Sequence, residues 1–251
     1  MSRSEKLYEG KAKILCATED PALVTQYFKD DATAFNAQKR GTIMDKGVCN
    51  NRISGALFAY LVQRGVATHF VKQLDDRTML VKRLQIVPLE VTIRNITAGG
   101  MAKLLGIEEG IVLKPPVFEW HYKSDALGDP LINDDHILAM GWATAQELAH
   151  IRAESFKVND ALKEFFNKRQ LDLVDFKLEF GRVLGADGRP TGVIVLGDEI
   201  SPDTMRLWEH GTRRKLDKDR FRRDLGSVEE AYQEVLRRVL GETAQPSGVG
   251  K

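Results

Sequence analysis

Cysteine is scarce in this chain of 251 residues, since only Cys16 and Cys49 occur. Two thiols so far apart exclude a disulfide framework and a cysteine-based zinc site, and we interpret both as reduced thiols. Long hydrophobic runs are missing too, because no segment approaches the roughly 18 to 20 apolar residues of a membrane helix. The opening residues Met1–Lys6 lack the apolar stretch of a secretory signal. We therefore expect a cytoplasmic protein without a membrane partner.

An excess of charge of one sign is also missing. The chain has 37 Lys and Arg residues against 36 Asp and Glu residues, which gives a formal net charge of +1. This balance argues against a protein that binds nucleic acid or a membrane surface through its net charge. The remaining composition, 43% hydrophobic and 29% charged, is typical of a globular protein, and the length allows one large or two modest domains.

The common phosphate-binding signatures do not occur in the sequence. Neither a Walker A motif nor a G-x-G-x-x-G fingerprint is present. The segment Asp175–Lys177 begins like the kinase D-F-G motif but lacks its glycine, and no H-R-D catalytic loop precedes it. The five histidines show no metal-ligand spacing. These absences exclude an ordinary P-loop and a complete kinase signature set.

Local patterns predict short strands mixed with amphipathic helices. Apolar residues at three- and four-residue steps predict helices over 50–63, 144–165 and 227–240. Capping boxes are predicted where the last two helices begin, at Thr144 with Glu147 and at Ser227 with Glu230. Strands are predicted within 7–39 and over 68–71, 78–84, 87–94, 174–180 and 191–196, a short helix ending at Gly106, and loops at 114–116 and 128–130.

The strand predicted at 174–180 carries the most informative pattern. Because side chains alternate along a strand, Asp175, Lys177 and Glu179 share one face and the apolar residues share the other. The turn at 186–190 and the next strand would return Asp198 to the side of Glu179. Two carboxylates that meet in this way suit Mg²⁺.

Three other interpretations of this hairpin stay open. The two carboxylates could be the acid and base of a glycoside hydrolase, although the nearby cations Lys177 and Arg206 favour a polyanionic substrate. A purely solvated, charged hairpin would show the same alternation. A kinase-like phosphotransferase acting on a small hydroxyl substrate would use the same lysines and carboxylates.

Two further segments are candidate anion sites. Lys11 and Lys13 follow a glycine turn and would face the same way on a strand, so that both could meet phosphate oxygens. Arg94 ends a strand before the small-residue turn at 97–100, where backbone N–H groups converge. Each segment alone is also compatible with an ordinary surface turn, and the charged run at 216–223 with a solvated helix start.

Taken in order, these segments resemble the motifs of one family, the SAICAR synthetases (phosphoribosylaminoimidazole-succinocarboxamide synthases) of purine synthesis. The resemblance covers residues 8 to about 240. The segments that carry it are Tyr8–Lys13, Arg94–Gly99, Val174–Gly181, Leu196–Asp203, Arg206–Trp208 and Asp217–Arg222.

The resemblance implies a two-domain, ATP-grasp-like α+β fold. A small, kinase-like antiparallel lobe (1–84) would bind the nucleotide, a larger α/β domain (85–241) would bind substrate and metal, and 242–251 would be a disordered tail. The implied reaction joins L-aspartate to the carboxylate of carboxyaminoimidazole ribonucleotide with ATP and Mg²⁺. Nucleic acid and membrane are not expected partners, and a homodimer is compatible with the pattern.

The resemblance also implies a role for each matching residue. Those expected at ATP are Lys11, Ala12, Lys13, Lys82 and Leu84, and those expected at Mg²⁺ are Glu179 and Asp198. Those expected at the ribonucleotide are Arg94, Gly99, Gly100, Lys177, Arg206, Lys218 and Arg222. Lys13, Lys177 and Asp175 are expected to act in catalysis, with Asp175 accepting the aspartate ammonium.

The sequence departs from the family pattern at Gly100, where the family usually has serine. A missing hydrogen bond to a charged group would cost about 1.5 to 3 kcal/mol unless backbone N–H groups or Thr97 replace it. An inactive nucleotide-binding module remains a second alternative, because it would bind ATP without forming ADP.

Overall fold

The computed structural model describes residues 5–34 and 38–242, which form thirteen strands and six α-helices within those ranges. The strands are β1 Lys6–Glu9, β2 Lys13–Ala17, β3 Leu23–Phe28, β4 Asp31–Ala34, β5 Lys39–Thr42, β6 Phe70–Gln73, β7 Thr78–Lys82, β8 Leu84–Ile96, β9 Val112–Tyr122, β10 Leu131–Ile132, β11 Leu171–Leu184, β12 Pro190–Leu196 and β13 Met205–Glu209. The helices are α1 Lys46–Gln63, α2 Gly99–Leu105, α3 Asp134–Ala139, α4 Ala145–Asn167, α5 Asp219–Arg222 and α6 Val228–Leu240.

Two antiparallel sheets dominate the fold. The first has the order β1-β2-β3-β7-β6, and the hairpin β4-β5 stands beside it as a separate pair. The second has the order β10-β9-β8-β11-β12, with β13 also paired to β11. The chain passes from the first sheet to the second between Lys82, the last residue of β7, and Leu84, the first residue of β8. The mixture of helices with antiparallel sheets confirms the predicted α+β class.

One hydrophobic core connects helices from both halves of the sequence. Ile53 and Leu57 of α1 belong to the same buried cluster as Phe166 of α4, Val235 of α6 and Leu178 of β11. The apolar stripe of α6 therefore packs inside the chain, which confirms core packing as its use. Because the cluster includes residues on both sides of residue 84, the domain division at that position stays a prediction.

The two predicted capping boxes have different outcomes. The Glu147 N–H donates to the Thr144 hydroxyl and the Thr144 N–H donates to the Glu147 carboxylate, which confirms the first box. The second prediction is wrong, because Ser227 has a left-handed φ of 45° and its side chain makes no capping hydrogen bond with any described residue. The sequence spacing is compatible with a box, but the turn at Gly226 sets a backbone in which the hydroxyl does not reach the helix.

Several other element boundaries also differ from prediction. Helix α1 begins at Lys46, four residues before the predicted start, and the strand predicted at 68–71 lies at Phe70–Gln73. The loop predicted at 114–116 lies within β9, where the pairing with β8 shifts between Val112 and Val117. Proline is tolerated there because irregular pairing does not require its missing N–H group.

The ends of the chain add two points. The predicted tail lies outside the described residues from residue 243 onward. Among residues 5–34 and 38–242, no helix has the length and apolar character needed to cross a membrane.

Candidate active site

Strand β11 places the three charged residues predicted from its alternation. Asp175, Lys177 and Glu179 pair with Arg94, Thr92 and Glu90 of the neighbouring β8. At the far end of the hairpin, Phe180 pairs with Leu196, and the Gly197 N–H donates to the Glu179 carbonyl at 2.9 Å. The predicted return of Asp198 to the side of Glu179 is therefore confirmed.

The Glu179 and Asp198 carboxylates lie in a buried, highly charged environment. Lys13 contacts both Asp198 and, at 2.9 Å, Glu199, while Lys123 lies 2.5 Å from Glu179. Burial and the neighbouring charge of Asp198 raise the pKa of Glu179 to about 7. Burial also disfavours the Asp198 anion, but Lys13 outweighs it and lowers the pKa of Asp198. Asp198 is thus ionised, whereas Glu179 is partly protonated near neutral pH and would lose its proton when a cation binds.

The backbone at Asp198 is held in an unusual conformation. Asp198 has a φ of 59°, which is the left-handed region that non-glycine residues rarely adopt. The buried Gln26 of β3 donates from Nε2 to the Asp198 carbonyl at 3.1 Å. His69 packs nearby without a hydrogen-bond partner for its ring nitrogens among the described residues, and burial lowers its pKa to about 3. A neutral imidazole and a buried amide therefore border the metal-binding candidate.

The five residues predicted to meet ATP lie in different environments. Lys13 reaches the carboxylates, whereas Lys11 is exposed and pairs with Asp125 at 2.7 Å. The Ala12 carbonyl accepts a hydrogen bond from the Lys29 N–H. Lys82 donates its backbone N–H to the His69 carbonyl at 2.7 Å, and the Leu84 side chain lies against the backbone of Gly181 and Gly197.

A cavity of about 210 Å³ opens on the same sheet and contains most of the predicted ribonucleotide residues. Its walls are rich in cations, which suits an anionic ligand. The lining residues are Thr92, Arg94, Gly100, His121, Asp175, Lys177, Asp203, Thr204, Met205, Arg206 and Arg222. Lys218 lies behind this wall, 3.8 Å from the lining residue Asp203.

Asp175 joins two of the cavity arginines. Its carboxylate accepts from Arg94 at 2.9 Å and from Arg206 at 2.8 Å, and the Asp175 side chain is buried. Arg206 also donates to Asp219, and Arg222 pairs with the same carboxylate at 2.7 Å. Burial opposes the Arg206 charge, but Asp175 and Asp219 outweigh it and raise the pKa of Arg206. The arginines are therefore fixed in position before any ligand binds.

The two glycines that begin α2 pack differently against this network. Gly99 has a φ of 55°, and a Cβ atom there would collide with the Arg206 guanidinium. The Gly99 N–H donates to Glu109 at 2.9 Å. At Gly100, by contrast, a Cβ atom would meet no atom within 4 Å. Only the first of these two glycines is therefore required by the space around it.

Sequence reasoning missed several charged residues of the site. Lys177 pairs with Glu90, and Glu179 pairs with Lys123. Glu119, which binds Arg94 at 2.8 Å, alternates along the chain with His121 and Lys123, so period-two spacing could have indicated this set. Glu90 could not have been found in this way, because its contact depends on the register between β8 and β11.

Comparison with known proteins identifies relatives of this chain. The family model described as SAICAR synthetase matches residues 6–239. A phosphoribosylaminoimidazole-succinocarboxamide synthase from Clostridium acetobutylicum is 57% identical over 241 residues, which are 96% of this chain and 100% of that protein.

Solved structures give the same result. The synthase of the same name from Ehrlichia chaffeensis has a TM-score of 0.90 and 47% identity, covering 96% of this chain and 100% of the other. A SAICAR synthetase in complex with ADP has a TM-score of 0.87 and 42% identity, covering 95% of this chain and 99% of the other.

Proposed function

This chain belongs to the SAICAR synthetase family, and we propose that it catalyses the ATP-dependent ligation of L-aspartate to carboxyaminoimidazole ribonucleotide in purine biosynthesis. The products are SAICAR, ADP and phosphate. The observation that carries this conclusion is the match over nearly the whole chain, at 57% identity, to a relative of that name. The fold is the ATP-grasp-like α+β fold of its structural relatives.

The nucleotide site is proposed at the first sheet and its junction with the second. A related SAICAR synthetase has been solved in complex with ADP, and we expect this chain to bind the nucleotide too. We place the phosphates at Lys11, Ala12 and Lys13, and the adenine at the backbone of Lys82 and Leu84. Since the Lys82 N–H already donates to His69, the contact from Lys82 would use its carbonyl oxygen.

Mg²⁺ is proposed at Glu179 and Asp198. Among the described residues no group of three His, Cys, Asp or Glu side chains is arranged for a metal, but Mg²⁺ usually takes only one or two protein carboxylates. The donors fit, because both are hard oxygen ligands and a cation would stabilise the Glu179 anion, which burial and the charge of Asp198 disfavour. When bound, the ion would offset charge on the ATP phosphates.

The ribonucleotide is proposed to occupy the cationic cavity. Arg94, Arg206 and Arg222 would bind anionic oxygens. At the glycine turn the Gly100 N–H would be the backbone donor, because the Gly99 N–H already donates to Glu109, and Gly99 would allow the close approach of Arg206. Lys177 would face the substrate carboxylate. Asp175 is proposed to accept the aspartate ammonium, in addition to the two arginines that it already holds.

The proposed chemistry proceeds through an acyl phosphate. A carboxylate oxygen of the ribonucleotide attacks the γ-phosphorus, and the bond to the ADP oxygen breaks. The aspartate amine then attacks the acyl carbon, phosphate leaves, and the nitrogen loses its proton. Lys13 and Lys177 stabilise the negative charge on the phosphoryl group as it is transferred, so the enzyme works chiefly by positioning and electrostatics.

The cellular setting is proposed on more general grounds. Both cysteines are free thiols, as in reducing compartments, and ATP is consumed, so we place the enzyme in the cytoplasm. A homodimer is also proposed. Its interface would not be the apolar face of α6, because that face packs in the chain's own core.

The test is ADP release by purified protein with Mg²⁺-ATP and the ribonucleotide, with and without L-aspartate, and with mass detection of the imidazole product. We expect aspartate-dependent ADP and a product that carries a succinyl amide. ADP formed without aspartate, with a phosphorylated product, would instead indicate the phosphotransferase. ATP binding with no ADP would indicate the inactive module.

A further inference from the structure

Lys46 is a buried lysine that the proposed reaction does not use. It is the first residue of α1, and its side chain is 1% exposed. A buried ammonium is costly, and the start of a helix favours negative rather than positive charge. The first turn of α1 contains no acidic residue that would compensate locally. Because the local sequence does not favour a lysine here, its distant partner explains its position.

That partner is Asp203, which lines the ribonucleotide cavity. Lys46 Nζ lies 2.8 Å from Asp203 Oδ2, and Tyr232 of α6 donates to Asp203 Oδ1 at 2.6 Å. Burial disfavours the Asp203 anion, but Lys218 and Lys46 outweigh it and hold the pKa of Asp203 far below its usual range. Each oxygen of this carboxylate therefore has a strong donor from a helix outside the cavity.

Lys218 is the other cation beside the same carboxylate. Its Nζ lies 3.8 Å from Asp203 Oδ2, beyond hydrogen-bond range, although Lys46 holds that same atom closely. The Arg222 N–H donates to the Lys218 carbonyl, so the two residues are one helical turn apart, and Arg222 lines the cavity. Lys218 thus lies next to two residues that line the cavity, Asp203 and Arg222, and the nearer oxygen of Asp203 is already bound by Lys46.

We propose that Lys46 is a positioning residue for the ribonucleotide, because its hold on Asp203 leaves the Lys218 ammonium available to bind the substrate phosphate. This inference rests on the proposed function for the identity of the ligand. Without Lys46, Asp203 Oδ2 would draw in Lys218, and the phosphate would lose one charged donor. This loss would weaken the binding of a ribonucleotide and leave the binding of a ribonucleoside unchanged, because only the ribonucleotide carries the phosphate.

The experiment measures ligand binding to Lys46→Met and to wild type by titration calorimetry. The ligands are a substrate analogue in which a carboxamide replaces the reactive carboxylate, once with the ribose phosphate (the ribonucleotide) and once without it (the ribonucleoside). We expect Lys46→Met to weaken ribonucleotide binding by about 10- to 100-fold, the value of one charge-assisted hydrogen bond, with ribonucleoside binding unchanged. The KM for ATP should also stay unchanged. The matched control is Lys168→Met, which removes an exposed lysine paired with Glu164 and should alter neither affinity.

A second variant separates positioning from a structural role. Lys46→Met combined with Asp203→Asn removes the carboxylate that would capture Lys218, so the preference for ribonucleotide over ribonucleoside should return. If Lys46→Met does not fold, Tyr232→Phe decides instead, since it frees Asp203 Oδ1 and should reduce the same preference by a smaller factor.

Two results would overturn the inference: equal losses for both ligands in the folded variant, or an unchanged ribonucleotide affinity. A wild-type protein that prefers the ribonucleotide but makes no succinyl amide would contradict the proposed function and leave the inference about Lys46 standing.

Discussion

Glu179 and Asp198 respond differently to the same buried environment. The pKa of Glu179 rises to about 7 because of burial and the charge of Asp198, whereas Lys13 keeps Asp198 ionised. Lys13 compensates Asp198, whereas Lys123 lowers the pKa of Glu179 less than burial and Asp198 raise it, so a divalent cation would favour ionisation of the pair.

Removing either carboxylate should therefore abolish turnover while the fold is kept. We expect Glu179→Gln and Asp198→Asn to lower kcat about 1,000-fold or more, since a bound metal supplies several kcal/mol of transition-state stabilisation. The matched control is Asp187→Asn in the exposed turn of the same hairpin. Steady-state assays with circular dichroism check this, and full activity of either site variant would refute the metal assignment.

Gly100 offers a gain-of-affinity test. A Cβ atom fits there without contacts, so Gly100→Ser should be accommodated and could supply the hydroxyl that the family pattern has at this position. We expect the KM for the ribonucleotide to fall by about tenfold, as for one added hydrogen bond to a charged group. Gly100→Ala adds the Cβ without the hydroxyl and should leave the KM unchanged. An equal effect of both variants would exclude the hydroxyl as the cause.

At the level of single residues, alternation and register contribute different information. The period-two pattern of β11 was enough to predict Asp175, Lys177 and Glu179 on one face. Glu90 was not predictable, because it reaches Lys177 from β8, whose register with β11 the local sequence does not specify.

Among the elements, α4 and α6 show why the same spacing can have two outcomes. Thr144 caps α4, whereas Ser227 precedes α6 in a left-handed conformation. We expect Thr144→Ala to lower the free energy of unfolding by about 1 kcal/mol. Ser227→Gly should raise it by up to about 1 kcal/mol, because glycine adopts that φ without strain. Urea unfolding of both variants checks the pair, and destabilisation by Ser227→Gly would contradict the conformational account.

The contribution of Glu109 to folding stability, made at the turn that begins α2, should depend on pH. Arg223 is the main cause that lowers the pKa of Glu109 to about 2, and burial opposes this less strongly. A carboxylate with a lowered folded-state pKa contributes stability above its unfolded pKa, and this contribution is lost as the pH falls from about 4.5 toward 2.

We therefore expect Glu109→Gln to lower the Tm at pH 7 by about 2 to 4 °C. The difference in Tm between Glu109→Gln and wild type should shrink progressively below pH 4.5. Calorimetric scans across pH 3 to 7 measure it, and a gap independent of pH would show that the charge of Glu109 is not its cause. The KM for the ribonucleotide should rise as well, because Glu109 holds the Gly99 N–H.

Over the whole molecule, the two sheets meet at the proposed reaction centre. Lys13 and Gln26 extend from the first sheet to Asp198, which follows the last hairpin strand of the second. Local patterns predicted the mixture of strands and helices and the β11–β12 hairpin, whereas the ATP-grasp-like α+β fold was predicted from the resemblance to the family. The shared core of α1, α4 and α6 was not predictable, since contacts between distant helices leave no periodic signal of their own.

The central claim is that the ribonucleotide carboxylate gives one oxygen to phosphate while the aspartate nitrogen takes its place. The most direct measurement uses ribonucleotide labelled with oxygen-18 in the carboxylate, together with Mg²⁺-ATP and L-aspartate. Mass spectrometry of both products should find one labelled oxygen in the released phosphate and one in the new amide carbonyl. Unlabelled phosphate formed together with ADP would contradict the account.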